Sequence, residues 1–328
     1  MKALVTGATG FVGGLLAEHL VECGHAVTAL IRDPARARDL AERGVRIVHG
    51  DLAAEAALGE AASSQDVVFH VAGIVRARRR SEFTHTNVDG TRRLVRGAER
   101  TGAARFVHVS SMAAVGPVER GRWLTGEEPE RPTTAYGRSK LAAERVVRES
   151  GLAWTIVRPP MVYGPRDREL LLVFRACRFG IVPVFGDGKQ ELCAVYGPDL
   201  AEALAAVART DRTIGHTYYA CHAERFTSTT LGRAIGRVVG RDVRVLRIPH
   251  FAVRPLLAVT GLAARLLGRA TILDTDKTDE FLAPAWTADP SPIARDAGWS
   301  ARHDLPSGLR ATADWYRERG WLAGVRRP

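Results

Sequence analysis

The sequence predicts an α/β fold, in which a doubly wound parallel sheet is followed by a smaller C-terminal lobe. Three observations predict it. A glycine-rich turn at residues 6–13 separates a short apolar run from a helical repeat. Up to residue 160, short apolar and β-branched runs alternate with helical segments, as in parallel sheets with helical crossovers. After Pro159 this alternation loosens.

The first half carries six predicted strands and five predicted helices. The strands are residues 2–6, 26–31, 46–49, 66–70, 105–110 and 154–158. Apolar residues at helical spacing predict helices at residues 14–22, 35–42, 53–62, 91–101 and 136–150. We therefore expect a first domain at residues 1–160, with elements returning to it near 192–210. Residues 161–328 form the second, substrate-binding lobe.

In the second lobe we expect helices at residues 199–208, 229–239, 251–267 and about 307–319, and a strand at 217–220. The apolar stretch 251–267 is interrupted by Arg254 and Arg265 and is short for a membrane span. It indicates a buried or pocket-roofing helix and argues against membrane association. Contact with a membrane interface is the alternative.

The formal charge of +11 does not predict a nucleic-acid partner, because the arginines are spread along the chain without a recognition motif. The one dense run, 76–80, indicates a solvated loop; the alternative is a collar that attracts an anionic substrate or cofactor. The four cysteines are scattered and lack metal-ligand spacing. With a glycine turn that leaves no room for a signal peptide, they predict a cytoplasmic protein without a metal site.

The glycine-rich turn places Gly7, Gly10 and Gly13 between a strand and a helix. Glycines allow the backbone to approach phosphates closely, and a helix N-terminus receives negative charge. The turn therefore predicts a dinucleotide pyrophosphate site, which makes residues 1–160 an NAD(P)-binding Rossmann domain. The candidate contacts are Gly7, Thr9, Gly10, Phe11 and Val12.

Tyr136 and Lys140 lie one helical turn apart on one face of a predicted helix. An ammonium beside a phenol lowers the tyrosine pKa, so that the phenol can act as a general acid or base. Ser111 follows a predicted strand and can hydrogen-bond a substrate carbonyl together with Tyr136. Asn87 is a candidate fourth member of this site.

Seven segments in this order resemble the extended short-chain dehydrogenase/reductase family. They are the glycine turn, Gly50-Asp51-Leu52, His70-Val71-Ala72-Gly73, Asn87-Val88-Asp89-Gly90-Thr91, the serine strand, the Tyr136/Lys140 pair, and the run from Arg158 to Pro165. The serine segment is most similar to those of hydroxysteroid dehydrogenases and dihydroflavonol-type reductases. There the second serine acts, which points to Ser111 and places Ser110 near the cofactor.

The resemblance also implies further cofactor contacts. Asp51 and Leu52 would contact adenine, and Lys140 would also hold the nicotinamide ribose. The remaining contacts would be Val71, Ala72, Gly73, Pro159 and Val162. The family further implies a homodimer through the helices at 91–101 and 136–150.

The choice between NADP and NAD depends on the end of the second strand. The resemblance places Ile31 where NAD-binding proteins carry an acidic residue, and Arg32 follows it. Arg32, with Arg36, can bind a 2′-phosphate, so we expect NADP. Asp33 leaves NAD as the alternative.

The second lobe decides between reactions. Sugar-nucleotide enzymes of the family commonly carry a diphosphate-binding arginine where this chain has Leu192, although Arg166 and Arg168 remain alternative phosphate contacts. We therefore expect an oxidoreductase that reduces a ketone or aldehyde, or oxidises the secondary alcohol, of a mainly apolar small molecule. A nucleotide-sugar epimerase or dehydratase is the alternative, and a non-catalytic dinucleotide sensor is a third.

Overall fold

The computed structural model describes residues 1–268 and 270–322. Its strands are β1 (Lys2–Thr6), β2 (Ala26–Ile31), β3 (Arg46–His49), β4 (Val67–His70), β5 (Arg105–Val109), β6 (Trp154–Val157), β7 (Met161–Tyr163), β8 (Ile181–Phe185), β9 (Glu191–Leu192), β10 (Ala194–Tyr196), β11 (His216–Tyr218), β12 (Phe226–Thr227), β13 (Arg244–Ile248) and β14 (Ala285–Trp286).

The α-helices are α1 (Phe11–Glu22), α2 (Arg38–Glu42), α3 (Glu55–Ala62), α4 (Arg80–Phe83), α5 (Gly90–Thr101), α6 (Ala135–Arg148), α7 (Glu169–Arg178), α8 (Gly197–Ala208), α9 (Ser228–Val238), α10 (His250–Leu266), α11 (Thr278–Leu282), α12 (Ser291–Ala297) and α13 (Leu305–Glu318). A π-helical turn, Thr84–Asp89, joins α4 to α5.

A seven-stranded parallel sheet in the order β3-β2-β1-β4-β5-β6-β11 forms the centre of the fold. Helices cover both of its faces. In β1, Ala3 and Val5 join one core cluster with α1 and α8, while Leu4 joins another with α3 and α5. Strands buried on both faces have continuous apolar sequences, as β1 does. The predicted doubly wound parallel sheet is confirmed.

The return of the chain to this sheet extends beyond the predicted segment 192–210. The strand expected at 217–220 forms as β11 and pairs with β6 in the central sheet, not within the second lobe. Helix α8 packs against α1, and its alanine-rich surface is buried almost throughout. The second lobe is built around β8 and β13 and a core shared by α7, α9 and α13.

The prediction of a buried or pocket-roofing helix at 251–267 is wrong in its burial, whereas the helix does border a cavity through Arg254 and Arg265. Helix α10 buries only Val253, Leu257 and Gly261, and the apolar side chains between them face outward. Amphipathic spacing is present, but the inward face is narrow. None of the helices described in residues 1–268 and 270–322 is long and apolar enough to cross a membrane.

Candidate active site

The glycine turn closes so tightly that side chains do not fit. Gly7 has a φ of +74°, and a Cβ on Gly13 would lie 2.2 Å from the carbonyl oxygen of Gly7. The Gly10 amide donates to the same oxygen at 2.8 Å. Helix α1 then begins at Phe11 without a capping side chain or an acidic residue in its first turn. This cradle therefore fits the pyrophosphate of a dinucleotide, with Thr9 to Val12 supplying amides.

The carboxyl end of β2 carries two arginines beside this turn. Arg36 donates to the carbonyl oxygen of Thr9 at 2.7 Å, and Arg32 is exposed. Ile31 is buried in the core. The Asp33 carboxylate accepts from the Ala35 amide at 3.1 Å and caps the short helical turn that follows. The fold thus brings two cations to the place where a 2′-phosphate is expected.

The other predicted cofactor residues lie at the same edge of the sheet. The Asp51 carboxylate accepts from the Ala53 amide at 2.8 Å, and the Leu52 side chain packs against Gly90. Val71 and Ala72 pass directly beside Gly7. Of three further predicted contacts, Gly73 follows β4 and Pro159 follows β6, whereas Val162 lies in β7, which pairs with β10 outside the central sheet.

His70, at the end of β4, holds this region together through a chain of hydrogen bonds. Thr91 donates to the carbonyl oxygen of Asn87 at 2.6 Å, so its oxygen accepts from His70 Nε2 at 2.8 Å. His70 Nδ1 then accepts from Thr6 at 2.9 Å, and Thr6 accepts from the Ala72 amide at 3.2 Å. Burial lowers the pKa of His70 to about 3, so the ring is neutral.

Asn87 joins the loop after β4 to α6. Its Oδ1 accepts from the Ile74 amide at 2.9 Å, while its Nδ2 donates to the Ile74 carbonyl at 3.0 Å and to Ser139 Oγ at 2.9 Å. Both Nδ2 hydrogens are donated, whereas Oδ1 can accept one further hydrogen bond. The catalytic role of Asn87 stays a prediction.

Tyr136 approaches Ser111 because of the glycine beside it. Thr134 caps α6 by accepting from the Gly137 amide at 3.0 Å. A Cβ on Gly137 would lie 2.1 Å from the Ala113 carbonyl oxygen, so only glycine lets α6 come this close to the serine loop. The Ser111 hydroxyl, which accepts from the Ala113 amide at 3.2 Å, lies beside the Tyr136 phenol.

Burial raises the pKa of Tyr136 to about 12, and the neighbouring Ser111 hydroxyl opposes this shift by a smaller amount. The expected lowering by Lys140 does not appear, because the ammonium donates instead to the Val109 carbonyl at 2.7 Å. Burial also lowers the pKa of Lys140 to about 8, with Glu144 opposing the shift. Tyr136 is thus a protonated phenol at neutral pH.

Ser110, whose place near the cofactor stays a prediction, contacts a buried carboxylate. Its hydroxyl donates to Glu144, which is fully buried and forms a bidentate ion pair with Arg158 at 2.9 and 2.6 Å. Glu144 was missed, although Tyr136, Lys140 and Glu144 share one helix face at four-residue intervals. This buried pair fixes α6 to the end of β6, beside the tyrosine.

A cavity of about 500 Å³ opens at Tyr136. It is bordered by the loop 76–80, by Arg254 and Arg265 of α10, and by the segment 274–279. This lining favours the alternative in which the arginine run 76–80 attracts an anionic substrate or cofactor. Helix α10 borders the cavity with its arginines and turns its apolar residues outward, so this side of the cavity is charged.

The segment after α10 covers the tyrosine, and sequence reasoning missed it. Asp276 accepts from the Ala135 amide at 2.8 Å and pairs with Arg80 at 3.4 Å. The Lys277 ammonium lies 5.1 Å from the centre of the Tyr136 ring. Because about 140 residues separate these partners, no local spacing could reveal the contact.

The alternative phosphate contacts point elsewhere. Arg166 pairs with Glu18 of α1 at 2.6 Å, and Arg168 stacks over the Trp321 ring. Leu192 lies in β9 and packs against the core of the second lobe. None of these three side chains borders the cavity at Tyr136.

A sequence profile described as the NAD dependent epimerase/dehydratase family matches residues 3–221. The chain belongs to this family. It is 33% identical over 323 residues to the ceramide reductase of Caulobacter vibrioides (strain NA1000 / CB15N), covering 97% of this chain and 95% of that one. It is 30% identical over 332 residues to the 2-alkyl-3-oxoalkanoate reductase of Stenotrophomonas maltophilia (strain K279a), covering 94% of this chain and 98% of that one.

Among solved structures, MoeE5 in complex with UDP-glucose and NAD superposes with a TM-score of 0.78 at 24% identity, covering 97% of this chain and 99% of that one. This likeness shows the shared fold. Membership of the family confirms the prediction of an NAD(P)-dependent enzyme of the extended short-chain dehydrogenase/reductase type. The reductase relatives make it an oxidoreductase.

Proposed function

We propose that this protein is an NADP(H)-dependent reductase of a ketone or aldehyde in a mainly apolar small molecule, or the dehydrogenase of the matching secondary alcohol. The observation that carries the proposal is the protonated Tyr136, which lies beside Ser111 and borders a cavity. Relatives named as reductases of ceramide and of 2-alkyl-3-oxoalkanoates support an alkyl-chain carbonyl compound. The charged lining adds that one end of this substrate is polar or anionic.

Ser111 and Tyr136 hydrogen-bond the carbonyl oxygen, and Tyr136 donates the proton to it. A nicotinamide cofactor supplies hydride chemistry when bound. Lys140, held by the Val109 carbonyl, places a cation behind the phenol and provides a donor for the nicotinamide ribose. A tyrosine whose pKa is raised to about 12 holds the proton that the acid role requires, but it is a weaker acid than a tyrosine whose pKa is lowered.

NADP is proposed over NAD because of the arginines beside the glycine turn. Arg36 already contacts Thr9, and Arg32 is exposed next to it. One carboxylate oxygen of Asp33 accepts from the Ala35 amide, so it is less available for a hydrogen bond with the cofactor ribose. We expect Arg32→Ala to reduce the preference for NADPH over NADH by about 10- to 100-fold, the effect of losing a charge-assisted hydrogen bond. Arg38→Ala, an exposed arginine of α2, is the matched control.

The alternative is a nucleotide-sugar epimerase or dehydratase, and the arginine-rich cavity is the observation that favours it. Against it stand Leu192, which is packed in the second lobe, and the Met112-Ala113 pair, where a dehydratase usually needs acidic residues. A non-catalytic sensor is disfavoured because Tyr136 and Lys140 are both retained.

The test is NADPH oxidation with a panel of long-chain 3-oxo compounds, simple hydrophobic ketones and UDP-sugars. We expect turnover with the 3-oxo compounds and none with UDP-sugars. Tyr136→Phe should lower kcat by about 100-fold or more while NADPH binding is retained. Turnover confined to UDP-sugars would overturn the proposal, and a Tyr136→Phe enzyme with the wild-type rate would remove Tyr136 as the proton donor.

We also propose a cytoplasmic homodimer that does not bind nucleic acid. The dimer would form through α5 and α6, as the family resemblance implies. All four cysteines are unpaired thiols, and three of them are buried, which supports a reducing compartment. Sedimentation equilibrium of the purified protein tests the dimer.

A further inference from the structure

Helix α10 presents a continuous apolar stripe that the described residues do not cover. Phe251 is 83% exposed, Val259 66%, Leu262 59% and Leu266 80%. These positions are separated by eight, three and four residues, which are helical spacings, so they lie along one side of the helix. Gly261, on the inward side, lies against Asp274. A soluble surface rarely leaves so many large apolar side chains together without a function.

Cations flank this stripe. Helix α10 contains no aspartate or glutamate and carries Arg254 and Arg265, and β13, which leads into it, carries Arg244 on the same face as the exposed Leu246. On the two-stranded sheet, Arg244 pairs in register with Ile181 of β8, which is also exposed. Among the described residues, no ion pair involves Arg244, Arg247 or Arg254. An apolar face bordered by arginines complements an anionic lipid surface.

A second copy of the chain fits this face less well. A twofold contact between two α10 stripes would bring their flanking arginines together, and the stripe carries no carboxylate to compensate them. Lipid headgroups supply the missing negative charge, and acyl chains accept the apolar residues. The charge distribution therefore favours a membrane over self-association.

We propose that α10 and β13 dock on an anionic lipid bilayer, with α10 lying in the plane of the interface. The helix is about 25 Å long and inserts its apolar side among the upper acyl carbons, without crossing the bilayer. Arg254 and Arg265 of the same helix border the cavity at Tyr136, so docking places the cavity mouth at the lipid surface. Entry of a lipid-borne substrate by this route rests on the proposed function; the docking itself does not.

The experiment is cosedimentation of the purified full chain with sucrose-loaded vesicles. One set holds equal parts of phosphatidylglycerol and phosphatidylcholine, and the other holds phosphatidylcholine alone. We expect binding to the anionic vesicles that weakens with salt. Leu262→Glu combined with Leu266→Glu should lower the partition coefficient by about tenfold or more. Arg244→Gln should lower it by about fivefold, and Arg247→Gln, on the opposite face of β13, should lower it less.

Ile214→Glu is the matched control, because Ile214 is an exposed apolar residue at the opposite, amino-terminal end of the sheet strands. It should bind like the wild type. NADPH titration of each variant verifies its fold. Equal wild-type binding to both vesicle sets, or full binding by the Leu262→Glu/Leu266→Glu variant, would overturn the proposal.

A vesicle-free dimer that this double variant disperses would also overturn the proposal, by assigning the face to a second copy. NADPH oxidation with a short, water-soluble ketone is measured separately. Failure of that reaction refutes the proposed function, whereas failure of vesicle binding refutes the docking.

Discussion

Acidification should weaken this fold through His70. The ring is buried between Thr6 and Thr91, and the tautomer fixed by these contacts has one donor and one acceptor nitrogen. Protonation would place a second donor against the Thr6 hydroxyl in a buried site. It would disturb the strand ends that hold Ala72 and Asn87 beside the cofactor cradle.

The magnitude follows from the pKa difference. His70 has a folded pKa of about 3, against an ordinary value of 6.5, so the unfolded chain binds more protons between these values. Stability from this group is present above pH 6.5 and is lost as the pH falls toward 3. Between pH 7 and pH 5 the loss is about 2 kcal/mol. Burial lowers the pKa of His108 as well, which adds a loss of the same sign.

Urea unfolding of the wild type and of His70→Gln at pH 7 and pH 5 isolates this contribution. The glutamine variant lacks the titrating ring, so the stability gap between the two proteins should shrink by about 2 kcal/mol at pH 5. His49→Gln, which removes an exposed histidine at the end of edge strand β3, should leave the pH dependence as in the wild type. A gap of the same size at both pH values would refute the assignment.

Three further substitutions test the site. Gly137→Ala should push α6 away from the serine loop and lower kcat by about 100-fold, measured against unchanged NADPH binding. Glu144→Ala should leave Arg158 with Glu130 as its one carboxylate partner and lower the free energy of unfolding by about 1–3 kcal/mol in urea titrations. Asp276→Ala should release the segment over Tyr136, because the Ala135 amide loses its acceptor; hydrogen exchange at 274–282 should rise by about tenfold.

The sheet was predictable because its signals are local. Strands such as β1 have continuous apolar sequences, and the intervening helices show their periodicity within a dozen residues. Strand β11 was assigned to the wrong lobe, because pairing with β6 joins residues about 60 apart. The exposure of α10 was also unpredictable, since an apolar stripe has the same sequence whether it faces a core or a bilayer.

In the site, the residue identities were predictable but their contacts were only partly so. The glycine turn closes tightly, as its spacing implied, and Tyr136 lies beside Ser111. The side chains of Asn87 and Ser110 are held by the Ile74 backbone and by Glu144, respectively, so their predicted roles stay predictions. Motif spacing locates a residue on its element, whereas the hydrogen-bond partner that orients the side chain comes from elsewhere in the chain.

The charges around the cavity constrain the polar end of the substrate. Among the described residues that line the cavity, Arg78, Arg79 and Arg254 make no ion pair. Asp279 is the one carboxylate among them that also makes no ion pair. With a neutral substrate, only water would solvate this excess positive charge, whereas an anionic group near the carbonyl would pair with it. We therefore expect a 3-oxo acid to be reduced with a higher kcat/KM than its methyl ester.

Replacing Arg78 and Arg79 together by glutamine should lower the ratio of kcat/KM for the acid to kcat/KM for the ester by about fivefold or more. Most of the change should be in the KM of the acid. Added salt should act in the same direction on the wild type, because the two arginines are exposed and their field is screened. A ratio that the substitutions and salt leave unchanged would show that the cationic lining does not select the substrate. The arginine run would then be the solvated loop that its sequence alone favours.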